Sequence, residues 1–428
     1  MNTILIKNIN LINDDNLDIL IEGGIIKKIG KELKLENNSP LSTLHSPLQT
    51  IEGNGKLTAM PPLFDMHVHL RDPGQTHKED ILTGCAAALK GGITGLVAMP
   101  NTSPCLDNAE SINYVKEKSA QTGVSVYPAA CITKNMAGLE LSDFADFANL
   151  GVKIATDDGK PVESAEMMRA ALLKSAQSGI LIASHCEDLR IVNGGIINKG
   201  GVSERLGVLG IDRAAEDIIT ARDIKLAEET GARVHICHVS TRGSFELIRQ
   251  AKSRGVRVTC ETCPHYFYLT EEELLKLDAD YRMNPPLRTE DDRQAAIKAV
   301  IDGTVDCIVT DHAPHTAAEK ADFYTAPNGV VGLETSLAVT LTAFYHTAKL
   351  GLRKITELMS ISPRKILGLP IPEIKEGAKA DLILVDLHKN WVVDTKNFHS
   401  KSKNSPFKGK ALKGENVVTI VNGEIRYS

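Results

Sequence analysis

Two histidines placed two positions apart offer the clearest chemistry in this sequence. His67 and His69 stand near the end of an apolar, strand-like run that begins at Leu63. Alternate side chains of a β-strand share one face, so both imidazoles are predicted to point to the same side. Imidazole is a good ligand for zinc and other borderline transition metals. The pair therefore predicts the start of a metal site, although two packed or surface histidines would show the same spacing.

Further potential ligands follow later apolar runs of the sequence. A single histidine after a strand is more often a structural residue that has its hydrogen bonds satisfied. The repetition of a strand followed by a ligand argues against coincidence here. The candidates are Asp157 and Asp158 after residues 152–156, His185 after 179–184, His238 after 232–237 and Asp311 after 305–310.

The elements that must position these side chains form a repeating pattern. Between residues 57 and 368, apolar runs alternate with helical patterns, which is typical of a parallel α/β fold. Sustained over this length, the alternation predicts a TIM-type (β/α)8 barrel, whose active sites lie at the carboxyl ends of the strands. The candidate ligands stand at those ends. The predicted helices cover residues 78–90, 165–177, 214–230, 244–252 and 290–301.

Short β-like runs occupy both ends of the chain. They lie within residues 1–56 and 369–428, and the pair Asn422-Gly423 is a strong signal for a β-hairpin. Both ends are predicted to build one small β-sandwich domain beside the barrel. The Asn/Ser/Pro-rich stretch 37–46 is predicted to be a surface loop.

Composition narrows the class of protein. The chain has 428 residues, 42% of them hydrophobic, and a formal net charge of -5 with both signs mixed along its length. This predicts one large core with a smaller companion domain and gives no sign of nucleic-acid or membrane binding. No uncharged stretch is long enough for a membrane helix, and the start lacks a signal peptide, so the cytoplasm is the expected compartment. Eight scattered cysteines are predicted to be reduced.

A set of motifs carries a resemblance to a known family. The chain resembles a class I dihydroorotase of the amidohydrolase superfamily over essentially its whole length, including the split β domain. The combination of motifs is specific, although any one of them alone would be less so. The motifs lie at residues 65–74, 99–102, 157–159, 184–187, 235–240, 283–288 and 310–315.

The resemblance implies a reaction and a set of metal ligands. The reaction is the reversible hydrolysis of (S)-dihydroorotate to N-carbamoyl-L-aspartate in pyrimidine (UMP) biosynthesis, with a metal-bound hydroxide as nucleophile. One or two Zn²⁺ ions per subunit are implied, the first held by His67, His69 and Asp311, the second by His185 and His238. Asp158 would contribute at the shared position, and Asp311 would also be the general base and acid.

The carboxylate of such a small-molecule substrate needs partners of its own. If the strand continued past His69, Arg71 would lie on the same face as the two histidines, and a guanidinium matches a carboxylate well. An ion pair between Arg71 and Asp72 or another acid is the structural alternative. By resemblance, the substrate-binding residues are His69, Arg71, Asn101, Asn284, His315, Asn328 and Gly329.

Several alternatives stay open at this point. Asp157 competes with Asp158 as ligand, and Lys153 could be carboxylated, as the corresponding lysine is in many relatives. The chain could be a hydantoinase or allantoinase, but the charge of Arg71 would be costly beside a neutral substrate. It could also be a non-catalytic scaffold for aspartate transcarbamoylase, and the resemblance is compatible with a homodimer or a transcarbamoylase complex. The segment 315–329 is expected to form a lid over the site.

Overall fold

The computed structural model describes residues 3–33 and 48–428, so the predicted loop 37–46 lies outside the described residues. The N-terminal part forms a four-stranded sheet in the order β3-β2-β1-β4. Strand β1 pairs antiparallel with β2 and parallel with β4. A fifth strand then leads toward the barrel. The bounds are β1 Thr3–Ile9, β2 Leu17–Glu22, β3 Ile25–Gly30, β4 Leu48–Glu52 and β5 Leu57–Met60.

Eight parallel strands form the predicted (β/α)8 barrel. They belong to two sheets, one of β6, β7 and β8 and the other of β9, β10, β13, β14 and β15. Parallel bridges between Ala130 and Ala155 and between Val68 and His312 join the sheets and close the ring. The short pair β11–β12 lies outside it. The bounds are β6 Leu63–Val68, β7 Ile93–Ala98, β8 Ser125–Pro128, β9 Ile154–Ala155, β10 Leu181–Ser184, β11 Ile197–Asn198, β12 Gly210–Ile211, β13 Val234–Ile236, β14 Val258–Thr262 and β15 Cys307–Ile308.

Helices connect the strands and agree closely with the sequence pattern. Helix α7 has the predicted bounds, whereas α1 begins at Ile81 rather than at 78 because the Asp80 carboxylate caps it by accepting from Thr83 N at 2.9 Å. The bounds are α1 Ile81–Lys90, α2 Ala109–Ser119, α3 Phe144–Asn149, α4 Ala165–Ser178, α5 Leu189–Val192, α6 Gly201–Leu206, α7 Ala214–Thr230, α8 Arg242–Ser253, α9 Pro264–Tyr268, α10 Glu290–Asp302, α11 Ser336–Thr340, α12 Leu352–Thr356 and α13 Ser362–Leu367. Short 3₁₀ turns cover Lys134–Met136, Glu271–Lys276, Ala279–Tyr281 and Thr395–Asn397, and π-helical turns cover Leu341–Tyr345 and Glu357–Ile361.

The C-terminal strands form a second sheet in the order β18-β17-β16-β5. Their bounds are β16 Leu382–Val392, β17 Ala411–Val421 and β18 Glu424–Tyr427. Strand β5, which the predicted boundary at residue 57 assigns to the barrel, pairs antiparallel with β16 and so lies in the β part of the chain. The hairpin turn at Asn422-Gly423 has positive φ at both residues, as its sequence predicts.

The apolar core is divided between the β domain and the barrel. One cluster joins side chains of both β sheets, among them Ile4 and Ile21 with Leu382 and Ile420, which is the packing of a β-sandwich built from both chain ends. A second cluster fills the barrel interior, and a third packs the helices around it. Within the described residues, no helix is both long and apolar enough to cross a membrane.

Candidate active site

Six predicted ligands lie together at the carboxyl ends of the barrel strands. His67 belongs to β6 and His69 follows it, whereas the others stand one to three residues after β9, β10, β13 and β15. Parallel strands end at the same rim of a barrel, so residues far apart in sequence meet there. Each side chain is buried. We call this set the His/Asp cluster: His67, His69, Asp158, His185, His238 and Asp311.

Asp158 is the centre of the cluster. Its Oδ1 lies 3.2 Å from His185 Nδ1, 3.3 Å from His67 Nε2 and 3.6 Å from His238 Nε2. Its Oδ2 lies 3.4 Å from His69 Nε2. Burial raises the pKa of this carboxyl, but the surrounding imidazoles outweigh burial and hold the pKa well below its usual range. Asp158 therefore presents an ionised carboxylate to all four histidines.

Asp311 contacts two of these histidines from the opposite wall of the barrel. Its Oδ1 lies 3.2 Å from His69 Nε2 and 3.6 Å from His67 Nε2. Burial opposes ionisation of this carboxyl, but the hydrogen bond to His69 and the neighbouring imidazole of His67 lower its pKa. Asp311 is therefore an ionised acceptor within the cluster and suited to proton transfer.

Asp157 points away from the cluster. Its Oδ1 accepts hydrogen bonds from Ile132 N at 2.8 Å and Thr133 N at 3.1 Å, which tie it to the neighbouring loop. The structure thus places Asp158 rather than Asp157 among the histidines. Lys153 is half-buried, and its side chain makes no hydrogen bond to the cluster in the described part of the chain.

The donor set fits a tetrahedral transition metal. Four ligands about 2.0–2.1 Å from such an ion lie about 3.3–3.4 Å from one another. The nitrogen–oxygen separations around Asp158 are 3.2–3.6 Å. His67 Nε2 is buried in the cluster and makes no hydrogen bond within the described residues. Close-packed nitrogen and carboxylate ligands with such an orphaned atom match a binding site for a transition metal that imidazole ligands suit.

Glu261 contacts the cluster from the interior of the barrel. The sequence did not lead us to predict this residue. Its Oε1 lies 2.7 Å from His67 Nδ1 and its Oε2 lies 3.1 Å from His235 Nε2. Burial raises the pKa of this carboxyl, but His67 and His235 outweigh burial and lower it below its usual value. A carboxylate on the far nitrogen of a metal-binding histidine fixes the tautomer of its ring. A charged residue inside the otherwise uncharged β14 was the available signal.

Glu187 is a second carboxylate that the sequence reasoning missed. Its Oε2 lies 3.1 Å from His185 Nε2, and it accepts from Asn284 Nδ2 at 3.0 and 3.1 Å. Glu187 therefore orients a cluster histidine in the way that Glu261 does. Asn284, predicted to bind the substrate, uses its amide donor on Glu187 in this structure.

Arg71 lies in the site, but its backbone conformation differs from the extended strand that was predicted. Strand β6 ends at Val68, and Arg71 has a φ of 59°, so the strand does not continue to it. Its guanidinium nevertheless lies in the pocket, where Nε donates to Pro314 O at 3.3 Å and Nη2 lies 3.3 Å from His315 Nε2. Among the described residues, no carboxylate lies within ion-pairing distance of it. Burial lowers the pKa of Arg71 to about 10.

The remaining predicted substrate residues surround Arg71 on loops. His315 Nε2 lies 2.9 Å from Asn328 O, whereas Asn101 Oδ1 lies 2.8 Å from His69 Nδ1, so Asn101 also touches the His/Asp cluster. Gly329 is predicted to bind the substrate, but its N–H donates to Arg282 O at 3.0 Å in this structure. We call this set the loop group: Arg71, Asn101, His315, Asn328 and Gly329.

Unusual backbone conformations orient two side chains of the His/Asp cluster. His238 and Asp311 have φ values of 31° and 47°, in the left-handed region that residues with a side chain rarely adopt. Such conformations often occur at functional sites, where surrounding contacts stabilise them. His312, which follows Asp311, points away from the cluster, with its Nε2 3.4 Å from Glu79 Oε2.

Comparison with protein-family models matches residues 55–244 to the dihydro-orotase-like model. A dihydroorotase of Trichlorobacter lovleyi is 46% identical over 418 residues, which cover 97% of this chain and 96% of that protein. A dihydroorotase of Acetivibrio thermocellus is 46% identical over 411 residues, covering 96% and 94%.

Solved structures of related enzymes share the fold. The L-hydantoinase (dihydropyrimidinase) from Arthrobacter aurescens superposes with a TM-score of 0.83 at 26% identity, covering 99% of this chain and 96% of that one. The dihydropyrimidinase from Brevibacillus agri has a TM-score of 0.81 at 21% identity, with 99% and 94% covered, and supports the fold alone. The chain is an enzyme, a hydrolase of cyclic amides, and it belongs to the dihydroorotase family.

Proposed function

We propose that this enzyme catalyses the reversible hydrolysis of (S)-dihydroorotate to N-carbamoyl-L-aspartate in pyrimidine biosynthesis, as a class I dihydroorotase. The observation that supports this substrate is Arg71, a residue that is only 8% exposed and whose guanidinium lies beside the His/Asp cluster. Asp311 and Asp158 favour the charged form of Arg71 from a distance, but burying a cation without a direct ion pair is costly, and the carboxylate of dihydroorotate would offset that cost. A hydantoin with a neutral substituent would leave Arg71 uncompensated.

The His/Asp cluster would hold one or two Zn²⁺ ions. His67, His69 and Asp311 would bind the first, His185 and His238 the second, and Asp158 would contribute to both. A bound metal would lower the pKa of water toward neutrality and polarise the carbonyl that is attacked. Glu261 and Glu187 would hold His67 and His185 in the orientation that metal binding needs.

Asp311 would move the proton of the reaction. Its carboxylate, ionised and 3.2 Å from His69 Nε2, accepts a proton from the attacking water. It then donates that proton to the ring nitrogen that leaves, which completes the opening of the ring. In the reverse direction, Asp311 would take the proton from the carbamoyl nitrogen as that nitrogen attacks the carboxyl group.

The loop group would orient the substrate. Arg71, Asn101 and His315 would bind the carboxylate, and His69 would border the same end of the ring. Asn284 and the backbone at Asn328 and Gly329 would meet the ring amides. Because the Asn284 amide and the Gly329 N–H are bonded to Glu187 and Arg282, these two contacts require an exchange of hydrogen bonds on binding.

The segment 315–329 borders this pocket and would close over the bound ring. Glu319 joins it to the facing loop through an ion pair with Lys78 at 2.9 Å. Shortening the segment should lower turnover and leave metal content unchanged, whereas unchanged turnover would reject the role of a lid. A cytoplasmic location, a homodimer and docking to aspartate transcarbamoylase fit this function and stay proposals.

Hydrolysis of L-dihydroorotate by the zinc-loaded enzyme tests the function. We expect loss of substrate absorbance with the unsubstituted enzyme, none with Asp311→Ala, and little turnover of a hydantoin. Preferred turnover of hydantoin would contradict the role of Arg71. If neither compound reacted although metal was bound, a scaffold role would replace the catalytic one.

A further inference from the structure

A segment of the C-terminal part, residues 398–407, crosses from the β domain to the mouth of the barrel. Ser402 Oγ donates to Lys78 O at 2.6 Å, and Lys401 Nζ donates to Asp80 Oδ2 at 2.6 Å. Both acceptors belong to the loop that follows Arg71. The β domain therefore reaches the loops that surround the substrate pocket, although it contributes no member of the His/Asp cluster or the loop group.

Asn404 makes the contacts that lie closest to the loop group. It is only 4% exposed, and its Oδ1 accepts a hydrogen bond from His315 N at 3.2 Å. Its Nδ2 donates to Gly329 O at 3.0 Å and to Ala313 O at 3.4 Å. Its own carbonyl accepts from Val331 N at 3.0 Å. One side-chain amide thus joins the two ends of the segment 315–329.

The backbone that Asn404 holds has little freedom to move without displacing the pocket. Gly329 has a φ of 141°, and a Cβ there would lie 2.6 Å from Ala313 O and 3.0 Å from His315 Cδ2. The His315 ring lies between Asn328 O, at 2.9 Å from its Nε2, and the guanidinium of Arg71, at 3.3 Å. A shift of either end of the segment would therefore move the imidazole relative to Arg71.

We infer that Asn404 is a positioning residue for recognition of the substrate carboxylate, because its amide fixes the backbone of His315 and Gly329 next to Arg71. This role, which rests on the proposed function, makes the C-terminal β domain part of the specificity of the site. Only an amide of this size supplies both the acceptor for His315 N and the donor for Gly329 O.

Steady-state kinetics of Asn404→Ala, Asn404→Asp and Asn416→Ala with dihydroorotate test this role. Asn416 is a matched control: it is also 4% exposed and joins the β domain to barrel backbone, but its Nδ2 donates to Leu89 O and Lys90 O at the end of α1. We expect both Asn404 variants to raise KM about tenfold with little change in kcat, because a lost buried hydrogen bond displaces the pocket. Asn416→Ala should leave KM unchanged, and all three proteins should retain their metal.

Asn404→Asp decides the outcome if Asn404→Ala fails to fold. Aspartate keeps the volume and the acceptor for His315 N but cannot donate to Gly329 O and places a negative charge near the substrate carboxylate. A raised KM in this variant supports the role, whereas a KM equal to that of Asn416→Ala overturns it. If the unsubstituted, metal-loaded enzyme does not hydrolyse dihydroorotate, the proposed function fails and the role of Asn404 with it. Turnover by that enzyme with unchanged KM in the Asn404 variants rejects the positioning role alone.

Discussion

The His/Asp cluster and the loop group lie side by side, but they are held in different ways. Cluster members stand in or just after barrel strands and contact one another directly, as Asp158 does with His185 at 3.2 Å. Loop-group members contact mainly backbone carbonyls, as Arg71 does with Pro314 O and His315 with Asn328 O. Under the proposed function, the strand-supported half would contain the groups for bond breaking, and the loop half would contain the groups for recognition.

This difference predicts which kinetic constant each half controls. Removing a group from the cluster should lower kcat or metal affinity, because under the proposed function those side chains would bind the metal or act on the reacting atoms. Removing a group from the loop group should raise KM, because under the proposed function those side chains would bind a part of the substrate that does not react.

Asp311→Asn should give the largest effect and test the cluster side of the comparison. Asparagine keeps the size of the side chain but cannot accept the proton, so we expect kcat to fall about 10³-fold. Asp306→Asn is the matched control, since Asp306 precedes the same strand β15 and accepts from Cys260 N at 2.8 Å, at the opposite end of the barrel. Steady-state rates and metal content per chain check both. Equal rates for the two variants would contradict a catalytic role for Asp311.

Glu261→Gln should weaken metal binding about 10–100-fold without removing a ligand, because His67 would lose the carboxylate that orients its ring. Competition with a chelator, followed by metal analysis, measures the change. Glu334→Gln serves as control because this carboxylate accepts from His399 N at 2.8 Å, away from the cluster. If both variants bound metal equally well, Glu261 would have only a structural role.

The His/Asp cluster could be predicted from sequence because barrel strands align their ends. Strand β9 has only two residues and β15 likewise, so the predicted runs were too long, but Asp158 and Asp311, which follow these runs, still reached the rim. The choice between Asp157 and Asp158 depended on a register of one residue. The structure explains the outcome, because Asp157 accepts hydrogen bonds from the neighbouring loop and so points away from the histidines. Local periodicity located the residues at the rim where strands position the side chains, whereas the preference for Asp158 came from the family resemblance.

The loop half was less predictable because its partners are distant in sequence and its backbone is irregular. Arg71 lies in the pocket through a left-handed turn rather than through strand alternation. Asn404 lies 89 residues from His315, and no periodic signal joins the two. Glu261 and Glu187 were missed for a related reason, since a carboxylate behind a ligand histidine has no fixed spacing from it.

Arg71→Met tests the loop side of the comparison. Loss of a charge-assisted contact with the substrate should raise KM about 10–100-fold and change kcat much less. Arg364→Met is a matched control, because this buried arginine donates to Pro62 O at 2.9 Å and Ser360 O at 2.8 Å near the start of β6. Kinetics with dihydroorotate should show normal KM for Arg364→Met. A fall in kcat at constant KM in Arg71→Met would contradict the assignment of recognition to the loops.

Lys320→Met should give the smallest effect and concerns stability of the loop half. Lys320 is buried, and its Nζ donates to Gly329 O at 2.9 Å and Pro327 O at 3.0 Å. Burial lowers its pKa from the usual 10.5 to about 7. Between these two values the unfolded chain holds a proton that the folded chain has lost, so the free energy of unfolding should rise with pH, by at most about 1.4 kcal/mol per unit.

Below pH 7 both states are protonated and this contribution stays constant, so the slope belongs to the alkaline side alone. Lys320→Met should lack the rise, whereas Lys27→Met, at an exposed position of β3, should keep it. Urea unfolding at pH 7.5 and 9.5 measures the difference within each protein. An equal rise in all three proteins would mean that Lys320 stays protonated across this range. In that case its contacts with backbone carbonyls would stabilise the ammonium more strongly than burial destabilises it.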